Sequence, residues 1–191
     1  MSQFLAPSQY IDWESPNVLT KAQALAEGLN DPAVIAQRCF EFVRDEIKHS
    51  FDYKLNPVTC KASDVLTHET GYCYAKSHLL AALLRANNIP AGLCYQRLLI
   101  TDVPPFCLHG LVAVYLERFG WYRLDPRGNK EGINAQFCPP MEKLAFAPTS
   151  LGEGDLPEVW AEPLPMVVDA LENNTTYQAL ADNLPDVELL A

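Results

Sequence analysis

The middle of the chain carries three residue types that together support nucleophilic catalysis by a thiol: Cys73, His109 and Asp125. A cysteine attacks as the thiolate, and its ordinary pKa of about 8.5 leaves only a few per cent ionised at neutral pH. Cys73 follows Gly-Tyr at the start of an apolar stretch of helical period, where the first turn of a helix favours an anion. A histidine base beside the sulfur, oriented by an acid, would supply the remaining activation.

His109 and Asp125 lie on two consecutive predicted strands, so the turn between the strands decides whether they meet. Side chains alternate across a strand, and the two residues meet only if they share a face. A three-residue turn at 117–119 places Asp125 opposite Leu111 and diagonal to His109, whereas an even-residue turn would separate them. Gly120 tolerates positive φ and could supply a bulge that keeps the register. We therefore predict the same-face arrangement.

The N-terminal part predicts helices, each opened by a capping residue. Ser15 precedes Pro16 and Asp31 precedes Pro32, and apolar residues recur at helical spacing behind both prolines. A short helix is predicted in SDVLTHE with Ser63 as its cap. The inner face of the second helix is predicted to carry Val34, Ile35, Cys39, Phe42, Val43 and Ile47.

A long central helix of about residues 72–87 is followed by a change to strand-like sequence. Strands are predicted in AGLCYQRLLI, in PPFCLHGLVAVYL and in WYRLDP, with a last short strand in INAQFCP. Two short helices, near LPMVVDALE and TTYQALADNL, close the chain. Helices first and antiparallel strands after them predict an α+β fold. We expect one domain over 1–191, with a core of about 17–138 and a C-terminal extension, 139–191, packed on it.

Composition narrows the possible partners and location. The formal net charge is -10 with no basic patch, which argues against nucleic acid and anionic membranes as partners. No apolar run approaches the ~18 residues of a membrane span, and no secretory signal is visible. Six cysteines are therefore expected to stay reduced in a cytoplasmic protein. No cofactor is expected, and no acidic loop has the ligand spacing of a calcium site.

Two stretches, GYCYAKSHLLAALLRANNIPAGLCYQRLL and HGLVAVYLERFGWYRLDPRGN, resemble the transglutaminase-like superfamily of papain-fold thiol enzymes. The likeness covers about residues 60–130: G-x-C at a helix start, a helix exit at Ile-Pro-Ala, histidine on a strand and Asp-Pro after the next strand. It implies a papain-like core with Cys73 as nucleophile, His109 as general base and Asp125 as orienting acid. Asn88 stands where the family often has glycine, and asparagine also enters the left-handed region.

Acyl transfer also needs an oxyanion hole and a substrate cleft. The first oxyanion donor is expected to be the backbone N–H of Cys73, and the second to come from the preceding loop, with Tyr53 or Asn56 as candidates. Cys107 falls on the same strand face as His109, so it either lines the site or is a small buried thiol. Aromatic residues that could wall the cleft, or belong to the core, are Tyr72, Tyr74, Tyr95 and Trp121.

The remaining titratable residues near the site favour structural roles. A lysine one turn past Cys73 could lower the thiol pKa, but an exposed side chain is the simpler interpretation for Lys76. His49 is interpreted as a helix-end residue, His68 as solvated, and His78 as core or surface.

The sequence thus predicts a cysteine-dependent enzyme that transfers an acyl group from amide bonds, as a peptidase, amidohydrolase or transglutaminase, with a peptide, protein or small amide as substrate. A catalytically silent binding module on the same fold is the alternative. A zinc site from Cys107 and His109, with Cys73, His68 or His78 as further ligands, is a third, although its ligand spacing is poor.

Overall fold

The computed structural model describes residues 1–188 and shows an α+β fold in which one helix is enclosed by a sheet and by other helices. In chain order the elements are a 3₁₀ turn (Ser2–Phe4), α1 (Pro16–Ala26), α2 (Pro32–Asp45), β1 (Lys48–His49), α3 (Ser50–Tyr53), α4 (Ala62–His68), β2 (Thr70–Gly71), α5 (Cys73–Ala86), β3 (Ala91–Leu99), β4 (Phe106–Leu116), β5 (Gly120–Leu124), β6 (Gly154–Asp155), α6 (Pro165–Asn173) and α7 (Tyr177–Ala181).

Helices α1 and α2 begin at Pro16 and Pro32, as predicted, but only one of the three predicted cap residues makes a side-chain cap. The Ser15 hydroxyl donates to Asp12 at 2.9 Å instead of capping α1. The Asp31 carboxylate accepts a hydrogen bond from the backbone N–H of Ala33 at 2.8 Å, so α2 is capped as expected. Ser63 does not cap α4, because that helix already begins at Ala62. Its backbone N–H and hydroxyl instead donate to Asp12, at 3.0 and 2.5 Å, and so tie α4 to the N-terminal segment.

The inner face of α2 is rotated from the predicted one. Val34 is 41% exposed, whereas Phe40 is fully buried with Cys39 and Val43. The buried residues of α2 are Ala36, Cys39, Phe40 and Val43, which recur at helical spacing on the face of a helix packed against α5.

Helix α5 is the centre of the structure. Every residue from Cys73 to Arg85 is buried, and the helix packs on β3 and β4 on one side and on α1, α2 and α4 on the other. It ends at Ala86, and Asn88 adopts φ 58°, the left-handed conformation that a glycine would otherwise provide.

The main sheet is antiparallel with the strand order β5-β4-β3-β6. Leu116 pairs with Gly120, which leaves three residues in the turn, as predicted. The expected strand in INAQFCP is wrong: residues 133 and 136 form isolated bridges only, because the next two residues after Cys138 are prolines, which lack the N–H of a ladder. The fourth strand is β6, whose two residues pair with Gln96 and Arg97.

The C-terminal part packs back on the rest of the chain. Val167 and Leu171 of α6 and Leu180 of α7 belong to the same apolar core as α5. The Arg85 guanidinium, at the end of α5, donates to the carbonyl oxygens of Ala6 at 2.8 Å and Ala161 at 2.6 Å. One buried side chain therefore connects the central helix to both the beginning and the last third of the chain.

Candidate active site

Cys73 is the first residue of α5, with Tyr72 as the preceding cap residue, and it is 7% exposed. Its sulfur accepts a hydrogen bond from the backbone N–H of Gly110 at 3.4 Å. A Cβ at Gly110 would lie only 3.0 Å from the Cα of Tyr74, so glycine lets strand β4 approach the first turn of the helix. This close approach places the sulfur beside the strand that carries His109.

His109 and Asp125 share one face of the hairpin, which confirms the predicted register. Nε2 of His109 lies 2.8 Å from Oδ2 of Asp125. The carboxylate also accepts hydrogen bonds from the backbone N–H groups of Arg127 at 3.1 Å and Ala145 at 2.9 Å. Burial alone would raise the pKa of Asp125, but the imidazole and these two N–H groups bring it below its ordinary value. Asp125 is therefore an anion held in a fixed orientation.

The same carboxylate keeps His109 charged. Burial lowers the pKa of His109, but the negative charge of Asp125 and the interaction with Cys73 outweigh burial and raise it to about 10. Because Nε2 is bonded to Asp125, Nδ1 is the ring nitrogen left to interact with the sulfur. An imidazolium beside Cys73 is the partner that a thiolate requires.

A cavity of about 750 Å³ lies over Cys73 and His109. The Phe146 ring covers the imidazole edge-on, with ring centroids 5.0 Å apart. Ala181 and Leu184, from the C-terminal part of the chain, close another side. The cavity is large enough to hold part of a peptide, and its wall combines apolar side chains with polar ones such as Asp102 and Glu153.

Several predicted cleft residues line this cavity. Tyr72 and Tyr74 do so, but their hydroxyls donate elsewhere, to the carbonyl oxygens of Tyr177 at 2.6 Å and of Leu108. Cys107 also lines the cavity, and burial raises the pKa of its thiol to about 12. Cys107 is therefore a neutral wall residue rather than a second nucleophile.

Three other predicted site residues, Tyr53, Asn56 and Trp121, lie outside the cavity. The Tyr53 side chain is 57% exposed, and the amide oxygen of Asn56 accepts a hydrogen bond from the backbone N–H of Tyr177 at 2.7 Å. Trp121 packs on Phe4, with ring centroids 4.9 Å apart. Its position at the turn end of the hairpin explains this, because it lies about six residues, or roughly 20 Å, along the sheet from His109. Tyr95 is buried in the core.

The sequence interpretation missed two polar residues of the cavity wall. His49 comes to the site because β1 pairs with β2 and places His49 beside Gly71, two residues before Cys73. Its Nδ1 is buried without a hydrogen-bond partner among the described residues, 3.7 Å from Asp52. Burial and the nearby charge of Arg127 hold the pKa of His49 well below its ordinary value. Two-residue strands have no periodic pattern, so no sequence signal pointed to His49.

Arg127 is the second missed residue, and its side chain attaches the segment after Asp125 to Asp52. Its guanidinium donates to Asp52 at 2.8 and 3.2 Å, and Lys130 donates to the same carboxylate at 2.7 Å. Burial would raise the pKa of Asp52, but these hydrogen bonds bring it below its ordinary value. The Asp-Pro-Arg sequence was the available signal, because the turn after Asp125 holds an arginine two residues later near the same site.

Lys76 is buried, contrary to the prediction of an exposed side chain. Its ammonium donates to the carbonyl oxygens of Ile47 and, at 3.4 Å, of Arg44, where α2 ends. Burial and the charge of Arg127 lower the pKa of Lys76 to about 7. The lysine therefore binds the C-terminal end of α2 and is held there by backbone contacts.

Within residues 1–188, no group of three or more His, Cys, Asp or Glu side chains is placed to hold a metal ion. His68 is exposed, and His78 is buried with its Nδ1 2.7 Å from the carbonyl oxygen of Cys60. Across the same residues no helix has both the length and the apolar character needed to cross a membrane.

One of the solved structures similar to this chain shares its architecture. A presumed cysteine protease from Cytophaga hutchinsonii matches with a TM-score of 0.52 and 22% identity, over 65% of this chain and 40% of that protein. The periplasmic domain of TgpA from Pseudomonas aeruginosa matches with a TM-score of 0.48 and 21% identity, over 65% of this chain and 45% of that domain. The chain thus spans less than half the length of either. The predicted cytoplasmic location stays a prediction.

Comparisons at the level of sequence identify the family. A search of curated proteins found no match to this chain. The family model of the transglutaminase-like superfamily matches residues 20–126, more than half of the chain and the segment that holds Cys73, His109 and Asp125. The chain belongs to the transglutaminase-like superfamily.

Proposed function

We propose that this protein is a thiol enzyme that transfers an acyl group from an amide bond of a peptide or protein, with Cys73 as nucleophile, His109 as general base and acid, and Asp125 as orienting acid. The observation that carries the proposal is the placement of the His109 imidazole. Its Nε2 lies 2.8 Å from the buried Asp125, and its other side interacts with Cys73, which lines the same cavity.

The reaction would proceed through a thioester. The Cys73 thiolate attacks the amide carbonyl carbon, and the carbonyl oxygen becomes an oxyanion near the first turn of α5, where the backbone N–H of Cys73 has no intrahelical acceptor. The C–N bond then breaks as the His109 imidazolium donates its proton to the leaving amine. Water or a second amine attacks the thioester, His109 takes the proton of that nucleophile, and the Cys73 sulfur leaves as the thiolate.

Asp125 would hold the imidazole in the orientation that this sequence requires. With Nε2 fixed by the carboxylate, Nδ1 faces the sulfur and the leaving group. The hydrogen bonds from the backbone N–H groups of Arg127 and Ala145 keep the carboxylate from rotating away. The edge-on contact of Phe146 with the ring shields the ion pair from water, which strengthens it.

The test uses iodoacetamide at pH 6, where an ordinary thiol is almost entirely protonated. Mass spectrometry of the digested protein should show alkylation at Cys73 well before alkylation at Cys138, a half-exposed cysteine outside the cavity. Cys73→Ala should abolish, and Cys138→Ala should preserve, any turnover found with glutamine-containing and ordinary peptides, followed by ammonia release and by new amino termini. Equal alkylation of the two thiols at pH 6 would point instead to a silent binding module.

A further inference from the structure

The first half of β4 leaves one of its edges open to the cavity. Strand β3 pairs with β4 from Phe106 to Val114, whereas β5 pairs with β4 only from Val112 onward. Leu108 and Gly110 are two residues apart, so their backbone N–H groups point toward the same edge. The N–H of Gly110 donates to the Cys73 sulfur at 3.4 Å. The N–H of Leu108 therefore lies on the same edge, two residues along the strand from the contact with the sulfur, in the position that an added peptide strand would use.

A segment of the chain itself occupies this position. The backbone N–H of Leu108 donates to the carbonyl oxygen of Pro185 at 2.7 Å. The next residue, Asp186, accepts two hydrogen bonds from the Arg97 guanidinium, from Nε and Nη2, both at 2.7 Å. Arg97 lies on β3, directly opposite Leu108. Leu108 on β4 thus binds the main-chain carbonyl of the tail, and Arg97 on β3 binds the carboxylate of the next residue.

Arg97 is held in place independently of the tail. Its Nη1 donates to the carbonyl oxygen of Gly152 at 2.9 Å, and its guanidinium stacks on the Phe106 ring at 3.9 Å from the ring centroid. An arginine fixed in this way presents two parallel donors to any planar carboxylate. Because the chain carries a net charge of -10, such a local cation is required to attract an acidic ligand to this edge.

The rest of the C-terminal segment lies across the same cavity. Ala181 and Leu184 line it together with Cys73. The backbone of Tyr177 in α7 is fixed at both its polar groups, since its carbonyl oxygen accepts from the Tyr72 hydroxyl and its N–H donates to Asn56. The tail therefore reaches the β4 edge from a firmly attached helix, and a backbone hydrogen bond and an ion pair attach it there, with Leu184 and Val187 packed against the core.

We propose that the open edge of β4 binds an extended peptide whose bound carbonyl is followed by an acidic residue, and that Leu184–Asp186 occupies this edge as an intramolecular competitor. The inference rests on the proposed function and adds to it the class of substrate and a means of control. A substrate peptide would displace the tail, take the Leu108 N–H with a main-chain carbonyl, and place its carboxylate on Arg97. Its neighbouring amide bond would then lie over the Cys73 sulfur.

The experiment compares Asp186→Asn with Asp182→Asn in the full chain. Asp182 bonds to Gln178 at the surface and is the matched control. Loss of the ion pair should release the tail, which raises the rate of Cys73 alkylation by iodoacetamide about fivefold and speeds hydrogen exchange at the Leu108 amide. Asp182→Asn should change neither. The peptide DNLPDVE, the sequence of residues 182–188, should slow alkylation again in Asp186→Asn, and the same peptide with asparagine at the second aspartate should not.

The two readouts separate the inference from the proposed function. Faster exchange at Leu108 with an unchanged Cys73 alkylation rate would overturn the inference and leave the thiol chemistry intact. Unchanged exchange at Leu108 in Asp186→Asn would show that Arg97 does not hold the tail, which also overturns it. Faster exchange at Leu108 in a protein whose Cys73 resists alkylation at pH 6 would instead contradict the proposed function.

Discussion

Two buried histidines on opposite sides of α5, His109 and His78, have opposite charge preferences. His109 contacts the helix at its first turn, and His78 lies in the helix itself, fully buried on the side away from the cavity. The nearest polar partner of His109 is the Asp125 carboxylate, and its pKa rises to about 10. The partner of His78 is the neutral carbonyl of Cys60, and burial lowers the pKa of His78 to about 4.

The comparison shows that burial by itself favours a neutral imidazole, and that one buried carboxylate reverses the preference. His49, the third buried histidine, supports this, because it lines the cavity over Cys73 yet its pKa is held low by burial and by Arg127. Proximity to Cys73 therefore does not make a histidine cationic. The hydrogen bond between His109 and Asp125 is therefore what distinguishes the histidine at the first turn of α5 from the histidine inside the helix.

The largest expected effect comes from Asp125→Asn, which removes the charge and keeps the shape. His109 should then prefer the neutral form, as His78 does, and turnover should fall roughly 10²–10⁴-fold, as expected when the base loses its orienting acid. Alkylation of Cys73 at pH 6 should fall in parallel. Asp52→Asn is the matched control, because Asp52 is a half-buried carboxylate paired with Arg127 and makes no contact with His109. A turnover loss that is equal in both variants would contradict the special role of Asp125.

The pH dependence of stability should show both histidines at once. Below its unfolded pKa of about 6.5, His78 takes up a proton in the unfolded chain but not in the folded one until about pH 4, so stability falls with acid by up to about 3 kcal/mol. His109 behaves oppositely. Its folded pKa is raised to about 10, so its contribution is fully present below pH 6.5 and is lost as the pH rises toward 10. Urea unfolding at pH 5, 7 and 9 measures both slopes.

Single variants show which histidine causes each pH dependence of stability. His78→Asn should flatten the acid side and leave the alkaline side unchanged, whereas Asp125→Asn should flatten the alkaline side. Acid destabilisation that persists in full in His78→Asn would mean that other groups cause it.

The next effect in size concerns the close contact between β4, which carries His109, and the first turn of α5, which carries Cys73. Gly110→Ala would place a methyl group 3.0 Å from the Cα of Tyr74, so β4 must move away from the first turn of α5. We expect a loss of about 1–3 kcal/mol of unfolding free energy and a slower reaction of Cys73 with iodoacetamide. Gly132→Ala is the control for a loss of stability alone, because an added methyl group there meets nothing within 4 Å, while the φ of 78° disfavours any side chain. Equal reactivity of Cys73 in both variants would argue against the need for this close approach.

The smallest effect is expected from conservative change at His78. His78→Asn keeps a donor near the Cys60 carbonyl, whereas His78→Leu leaves that carbonyl unpaired and should cost about 1–3 kcal/mol more. Turnover should stay within a few fold in both folded variants, since His78 lies outside the cavity. A large loss of turnover in fully folded His78→Asn would show that the part of α5 around His78 also affects catalysis.

The parts of the site that the sequence predicted depend on local rules. The three-residue turn fixes which face Asp125 takes relative to His109, and the helix start fixes Cys73. The parts that it missed depend on pairing between distant segments. His49 is positioned by a two-residue strand, β6 is equally short, and the tail meets β4 about 75 residues away in sequence. None of these leaves a periodic pattern. Lys76 was misjudged because lysine is rarely buried, and only the end of α2 explains its burial.

The protonation state of His109 at pH 8 tests the central claim most directly, and ¹⁵N NMR of histidine-labelled full-length protein measures it. The account predicts that His109 is an imidazolium at this pH while His78 is neutral, and that Asp125→Asn removes the difference. A neutral His109 that titrates near pH 6.5 in the wild-type protein would contradict the account.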